Sequence, residues 1–269
     1  MIRLPDVDLP EETRASLGGF QEEVDGEPTY GEQVAAAKRL FGNRNRPDNR
    51  TFRVVRAKLG EMCAGARRCC YCEDSCADEV EHIRPKDLYP DFVFVWENYL
   101  YACGPCNGPK SNGFAVFETA TGRETDVTRH RGDPVEPPPA GDPVLIDPRQ
   151  EDPLEYMELD LLGTFRFNPS VEDGRPEFRR ADYTIELLRL NERDMLPEAR
   201  RNAFGSYRAR LRDYRDRQRE GAATYELDRL IEDLQNMPHP TVWAEMKRQR
   251  DLHPELARLF DDVPEALLW

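Results

Sequence analysis

Two Cys-x-x-Cys pairs, Cys69/Cys72 and Cys103/Cys106, flank a Glu81-His82 dipeptide. Four thiolates delivered by two such knuckles are the donor set of a closed, tetrahedral structural zinc site. Seven cysteines, six of them within 69–106, also admit a disulfide cluster. In a reducing compartment, however, an odd and crowded set favours metal ligation. Cys70 and Cys76 compete on paper for the places of Cys72 and Cys69, and Cys63, on a preceding helix, reads as a packing residue. Between the knuckles, "EVEHIRPK" alternates Val80 and His82 with polar residues and runs into Pro85. That pattern predicts a short strand with Glu81 and His82 on opposite sides of the pleat. A single histidine there would ordinarily be a hydrogen-bonded structural residue. This one is accompanied by Asn98 in "WENYL" and by Asn107 and Lys110 in "CNGPKSN".

In combination, Glu81-His82, Asn98 and Asn107 between cysteine knuckles resemble the HNH endonucleases, the treble-clef or ββα-metal nucleases, in a His-Asn-Asn variant. The resemblance covers about residues 69–118. It implies an α+β fold: a zinc-stapled ββα-metal core with mainly helical N- and C-terminal regions. It also implies phosphodiester hydrolysis, in which a base activates water and a cation neutralises the phosphorane-like transition state. His82 is then the general base, an imidazole suited to neutral pH. Asn98 would hold the other ring nitrogen through its side-chain carbonyl. Glu81 and Asn107 would offer oxygens to one catalytic Mg²⁺ or Mn²⁺, with Asn112 a rival for the second place. Lys110, and Arg84 beside the base, would meet the phosphate. The family more often has Asp before its base, and Glu is one methylene longer. Flanking stretches such as "CCYCE", "EHIRPK" and "LIDPRQEDPLEYM" look like the PtuB-like HNH subunits of Septu-type and retron-associated anti-phage systems. That likeness implies an ABC-type ATPase partner and DNA, or another nucleic acid, as substrate. The chain itself has no GxxxxGK[ST] phosphate loop. A zinc-stapled scaffold that binds nucleic acid or protein without catalysis is the competing reading.

The rest of the chain must position these groups. With 269 residues and 39% hydrophobic content the protein can bury a substantial core. No apolar run or leader pattern is visible, which predicts a cytoplasmic protein. The net charge of −14 is unusual for a nucleic-acid partner, but the acidity concentrates in 119–177, whereas 199–219 holds eight arginines against two aspartates. A basic helix there could contact nucleic acid, dock a partner, or be neutralised by the acidic connector. Four segments follow: 1–50, loose up to about residue 28 and then one helix; 51–118, the HNH core; 119–154, an acidic Pro-rich connector; and 155–269, a hairpin followed by helices. Thr29 and Glu32 have capping-box spacing at the head of the first helix, and Gly42 should stop it. Phe52, Val55 and Leu59 form an apolar stripe on a second helix beginning near Thr51. "RHRGDPVEPPPAGDP" should be irregular, and "YMELDLLGTFRF" should form a hairpin turning at Gly163. Along "AFGSYRARLRDY", Phe204, Tyr207, Leu211 and Tyr214 recur at helical spacing.

Overall fold

The structure, a computed structural model, describes residues 1–269 and mixes helices with short strands. Three helices open the chain: α1 (Glu11–Asp25), α2 (Tyr30–Arg44) and α3 (Arg50–Met62). α1 occupies the stretch read as loose. Glu11 and Glu12 in its first turn suit the helix dipole, and Leu17 and Val24 are buried beneath it. Thr29 caps the helix as its spacing predicts, the hydroxyl accepting from the Glu32 amide at 3.3 Å, but the reciprocal half of the box does not form: the Glu32 carboxylate accepts from the Thr29 hydroxyl at 2.6 Å and not from its amide. α2 nevertheless runs through Gly42 to Arg44, since a glycine inside a packed helix costs only about 1 kcal/mol. Asn49 caps α3 by accepting from the Phe52 amide at 3.0 Å, and the stripe of Phe52, Val55 and Leu59 is wholly buried.

The first knuckle follows α3. Gly65 adopts φ +50° there, and a Cβ at this position would fall 2.4 Å from the Asn236 carbonyl oxygen, so both conformation and space require glycine. β1 (Glu79–His82) pairs antiparallel with β2 (Tyr99–Ala102), placing Glu81 opposite Leu100 and His82 opposite Tyr99. The second knuckle leads directly into the short helix α4 (Gly104–Lys110). β3 (Ala115–Glu118) is flanked by β4 (Glu124–Asp126) and β5 (Gly141–Pro143) in a three-stranded sheet. The Pro-rich stretch 129–143 is irregular as expected, except that its last residues supply β5, and the rest of the acidic connector holds β4. β6 (Met157–Leu159) and β7 (Phe167–Pro169) form the expected hairpin. α5 (Pro176–Leu187), α6 (Met195–Arg219), α7 (Thr224–Gln235), α8 (Pro240–Arg248) and α9 (Pro254–Asp262) complete the chain. None of the helices is long and apolar enough to cross a membrane.

One buried apolar cluster runs from Met1 to Ala266, so the outer helices and the knuckle region share a core. The knuckle is also tied to α8 by polar contacts: the buried Glu73 carboxylate accepts from the Thr241 hydroxyl at 2.7 Å and its amide at 3.1 Å. On α6, Tyr207, Leu211 and Tyr214 are core residues and Phe204 is half-buried. The α6 arginines are not balanced by the acidic connector. Arg208 and Arg212 pair with Glu255, Arg215 and Arg219 with Asp262, Arg210 with Asp233 and Arg217 with Asp213. Arg200 is buried against the carbonyls of Phe165 and Leu190, and Arg201 donates to the Gly163 carbonyl. The neutralising acids thus come from α7, α9 and α6 itself, because those surfaces lie against the helix and the connector does not.

Phe52 packs edge-on to Phe41 at 5.6 Å and lies beside Phe94 and Tyr99, all of them fully or nearly fully buried. Replacing it with alanine leaves a cavity beneath the residues that enclose His82. The Phe52→Ala protein is expected to lose about 3–5 kcal/mol in denaturant unfolding, whereas a loss below 1 kcal/mol would mean that this aromatic layer is not a tightly packed support.

Candidate metal centre and histidine cleft

Cys69 and Cys72 lie in the turn after α3, Cys103 follows β2 and Cys106 is in the first turn of α4. Their four sulfurs all lie within 4.8 Å of one another, and all four residues are buried. These four cysteines could hold a metal ion such as zinc. Zn–S bonds of about 2.3 Å imply sulfur–sulfur edges of about 3.8 Å, and Cys72 Sγ lies 3.8 Å from Cys103 Sγ. Sharing of protons with neighbouring thiols pulls Cys72 and Cys103 down, while burial pushes Cys69 up and the Cys103 contact pushes Cys106 up. Four thiolates this close are mutually repulsive without a cation among them, so the donor set fits a divalent metal.

The rivals sit elsewhere. Cys70 Sγ faces Cys63 Sγ at 3.9 Å, and exposed Cys76 accepts from Arg67. Cys63 is therefore half-buried against another thiol rather than simply packed among apolar groups. Two further donors point at the sulfur cluster. The Cys103 amide donates to Cys69 Sγ at 3.3 Å, and the Arg193 guanidinium donates to Cys106 Sγ at 3.2 Å. Arg193 had no signal in the sequence, being one arginine among many and distant in the chain. A cation there offsets the net negative charge of a metal bound by four thiolates.

β1 ends beside this cluster. Its pleat separates Glu81 from His82 as predicted, and each side meets a different neighbour. His82 turns towards α2: its ring lies edge-on to Phe41 at 4.4 Å and to Tyr99 at 5.2 Å, and it is only 4% exposed. Nε2 lies 3.0 Å from the Val93 carbonyl, an acceptor, which fixes the proton on Nε2 and leaves the Nδ1 lone pair available. Burial, reinforced by Lys86, pushes the imidazole down to about 3, so it is neutral at ordinary pH.

Asn98 does not touch the ring, contrary to expectation. Its Oδ1 accepts from the Arg84 amide at 2.7 Å, and its Nδ2 donates to the carbonyls of Arg84 at 3.1 Å and Phe92 at 2.9 Å. Both ends of the amide are saturated by backbone. Asn98 therefore closes the segment from Arg84 to Phe92, and the adjacent Val93 carbonyl orients His82. Lys110 also departs from its expected role. It is fully buried, donates to the His82 carbonyl at 2.8 Å and pairs with Glu81 Oε1 at 2.5 Å. A buried ammonium cannot reach a phosphate; it compensates Glu81, whose carboxyl burial pushes up and Lys110 holds down. Arg84 likewise turns away, its guanidinium 5.2 Å from the ring centres of both Tyr89 and Phe92.

Glu81 and His82 open on a cleft of about 630 Å³, which Asn107 and Asn112 also line. Asn107 donates from Nδ2 to Glu79 Oε2 at 2.6 Å, leaving its Oδ1 free. Glu79 shares the Glu81 side of the strand, two residues away, and is a cleft acid that the same period-2 reading could have found. Asn112 donates to the Arg129 carbonyl at 2.6 Å, so it is anchored to the connector while lining the cleft. The structure thus brings Glu81, His82, Asn107 and Asn112 together and withdraws Asn98, Lys110 and Arg84 into supporting positions. The opposite wall comes from Phe41, Asn45 and Arg56, in the region of α2 and α3.

The chain is 24% identical over 148 residues to the Septu protein PtuB of Bacillus mycoides, covering 49% of this chain and 45% of that protein. It is 43% identical over 58 residues to the Septu protein PtuB of Bacillus thuringiensis, covering 20% of this chain and 23% of that protein. The chain is therefore homologous to PtuB over about half its length, and it spans less than half the length of these relatives. No protein-family model matches it. No solved structure matches it either.

Removal of the Arg193 guanidinium should weaken metal retention without unfolding the protein. In competition with a chromophoric chelator, Arg193→Ala is expected to lose zinc affinity by about tenfold or more, with Arg193→Lys intermediate. Equal affinity in all three proteins would mean that the Arg193–Cys106 contact is incidental.

Proposed function

We propose that this protein is a metal-dependent HNH endonuclease that hydrolyses phosphodiester bonds of DNA. In this reading it is the nuclease component of a Septu-type anti-phage complex, acts in the cytoplasm and works beside an ABC-type ATPase. The β1–β2–α4 unit with its sulfur cluster is its zinc-stapled ββα-metal core. The observation that carries the reading is the neutral imidazole of His82: tied at Nε2 to a backbone carbonyl, it opens at a cleft that also holds unsatisfied oxygen donors. The similarity to PtuB supports the system-level part of the proposal, as do the flanking motifs that resemble Septu-type subunits.

The chemistry follows from these residues. His82 Nδ1 takes a proton from a water, the water oxygen attacks phosphorus, and the bond to the 3′ oxygen breaks, that oxygen leaving with the bonding electron pair and taking a proton from solvent water. Val93 keeps the ring in the tautomer that can accept, and Phe41 and Tyr99 hold its plane. The fit to a hard cation rests on Asn107 Oδ1 and the carboxylates of Glu79 and Glu81 on one wall. Mg²⁺ or Mn²⁺ held there would neutralise charge on the transferring phosphate. Glu81 presents only the oxygen that Lys110 leaves. This ion pair is also the observation that favours the second reading, a non-catalytic scaffold, because a carboxylate already compensated by lysine has less to offer a metal.

Plasmid nicking separates the two readings. With Mg²⁺ or Mn²⁺, and with the ATPase supplied in a parallel set, the wild-type protein is expected to nick or linearise DNA. His82→Ala is expected to lose at least about 10² in rate; equal activity of the two proteins would contradict the assignment, and inactivity of both in every condition would favour the scaffold. The pH dependence follows from the depressed imidazole. Because burial disfavours the charged ring, its folded-state value lies below the ordinary 6.5. The base therefore stays competent on mild acidification, while stability declines as pH falls from about 6.5 towards 3. A cleavage profile flat between about pH 7.5 and 5.5 is expected; a decline centred near 6.5 would show an imidazole titrating as though exposed.

A further inference from the structure

We propose that Arg56 and Lys86 form a phosphate-binding wall of the His82 cleft, the N-terminal helices thereby supplying the substrate contact expected of Lys110. The inference rests on the reading of the cleft as a nuclease site. Of the cations close to His82, Lys110 is buried against Glu81, Lys38 pairs with Asp87 at 2.8 Å, and Arg84 faces Tyr89 and Phe92. Arg56 and Lys86 line the cleft and have no carboxylate partner, in a protein whose net charge is −14 and in which six of the eight arginines on α6 are paired with acids.

Arg56 is held by neutral acceptors. It donates to Asn45 Oδ1 at 2.5 Å, to the Arg46 carbonyl at 3.2 Å and to the Phe52 carbonyl at 3.3 Å. These contacts aim the guanidinium without cancelling its charge, which is the arrangement that planar recognition of phosphate oxygens requires. Lys86 makes no hydrogen bond to protein. Its ammonium lies 5.6 Å from the centre of the Phe41 ring, and that ring packs against His82. This point charge therefore sits one aromatic ring away from the base.

Strand geometry then divides the cleft. Glu79 and Glu81 share the side that meets α4, where Asn107 binds Glu79 and Lys110 binds Glu81. Val80 and His82 share the other side, where Phe41 lies. One wall thus carries oxygen donors suited to a cation, and the imidazole lies on the other side with the two cations that lack carboxylate partners. A phosphodiester would fit with its non-bridging oxygens towards Arg56 and Lys86 and its phosphorus before Nδ1. Arg46, whose carbonyl touches Arg56 and whose own side chain donates only to Asn43, extends the positive strip outward. A nucleic-acid backbone, with charges repeated along its length, matches such a strip better than a single anion would.

The test uses the full chain, a fluorescein-labelled DNA duplex, and one of its strands alone, with binding read by anisotropy across a salt series. Arg56→Met and Lys86→Met should each weaken binding about five- to tenfold near 0.1 M salt, and each should reduce the slope of log K against log salt by about 1. Arg56→Lys and Lys86→Arg should largely restore the slope, a rescue that a folding defect would not give. Arg217→Met, on α6, should leave both quantities unchanged. Unaltered affinity and slope in both methionine variants would overturn the proposal, as would binding of poly-glutamate tighter than DNA, or failure of the wild-type protein to bind either DNA. Cleavage measured in parallel keeps the two readings apart. Wild-type cleavage unaffected in Arg56→Met and Lys86→Met removes this wall and leaves the nuclease standing. Loss of binding slope without any cleavage by wild type does the reverse.

Discussion

Four sulfur atoms within 4.8 Å of one another set the geometry on which the rest of this molecule depends. They join the turn after α3, the end of β2 and the start of α4, three pieces of chain too short to hold one another by apolar burial alone. β1 and β2 are four residues each, and α4 is seven. Strands and a helix of that size are marginal in isolation. Closing the two knuckles through a cation converts like-charge repulsion among thiolates into attraction. With the ends of β2 and α4 fixed, β1 has one register, and that register decides which side of the strand the histidine occupies.

From there the order of contacts runs outward. The Val93 carbonyl selects a tautomer of His82, Asn98 fixes the segment leading to Val93, and Phe41 and Phe52 seat the ring against the N-terminal helices. On the other face of β1, Lys110 lets a carboxylate remain beside a buried imidazole by supplying a compensating charge. Apart from Phe41, which lines the cleft, each group acts at one remove from it, and each is buried. In the cleft itself Arg56 and Lys86 have no carboxylate partner. On α6 most arginines pair with acids of α7, α9 and α6 itself, in exposed pairs that contribute little to stability.

Much of this was legible in the residues. Cysteine spacing picked out the four sulfurs that cluster, because two knuckles constrain their own sulfurs locally and need only be brought together. The Thr29 N-cap, the α3 stripe and the β6–β7 hairpin were legible for the same reason: their signals are local in the chain. The roles that changed depend on tertiary distance. Nothing in "CNGPKSN" says that Lys110 turns inward, and whether Asn98 meets a ring or a backbone depends on where the Arg84–Phe92 segment passes. Arg193 and the wall formed by Asn45 and Arg56 approach from far along the sequence, where charge and spacing carry no directional information. α1 escaped notice because its apolar residues are few, and its burial is supplied by α2, α3 and the segment near Pro90.

The central claim is that a metal bound by Cys69, Cys72, Cys103 and Cys106 closes the frame that presents His82. Zinc-edge X-ray absorption on the purified full chain tests it most directly. The account predicts one zinc per chain with a shell of four sulfurs at about 2.3 Å. A shell containing nitrogen or oxygen neighbours, or a folded protein devoid of metal, would contradict it.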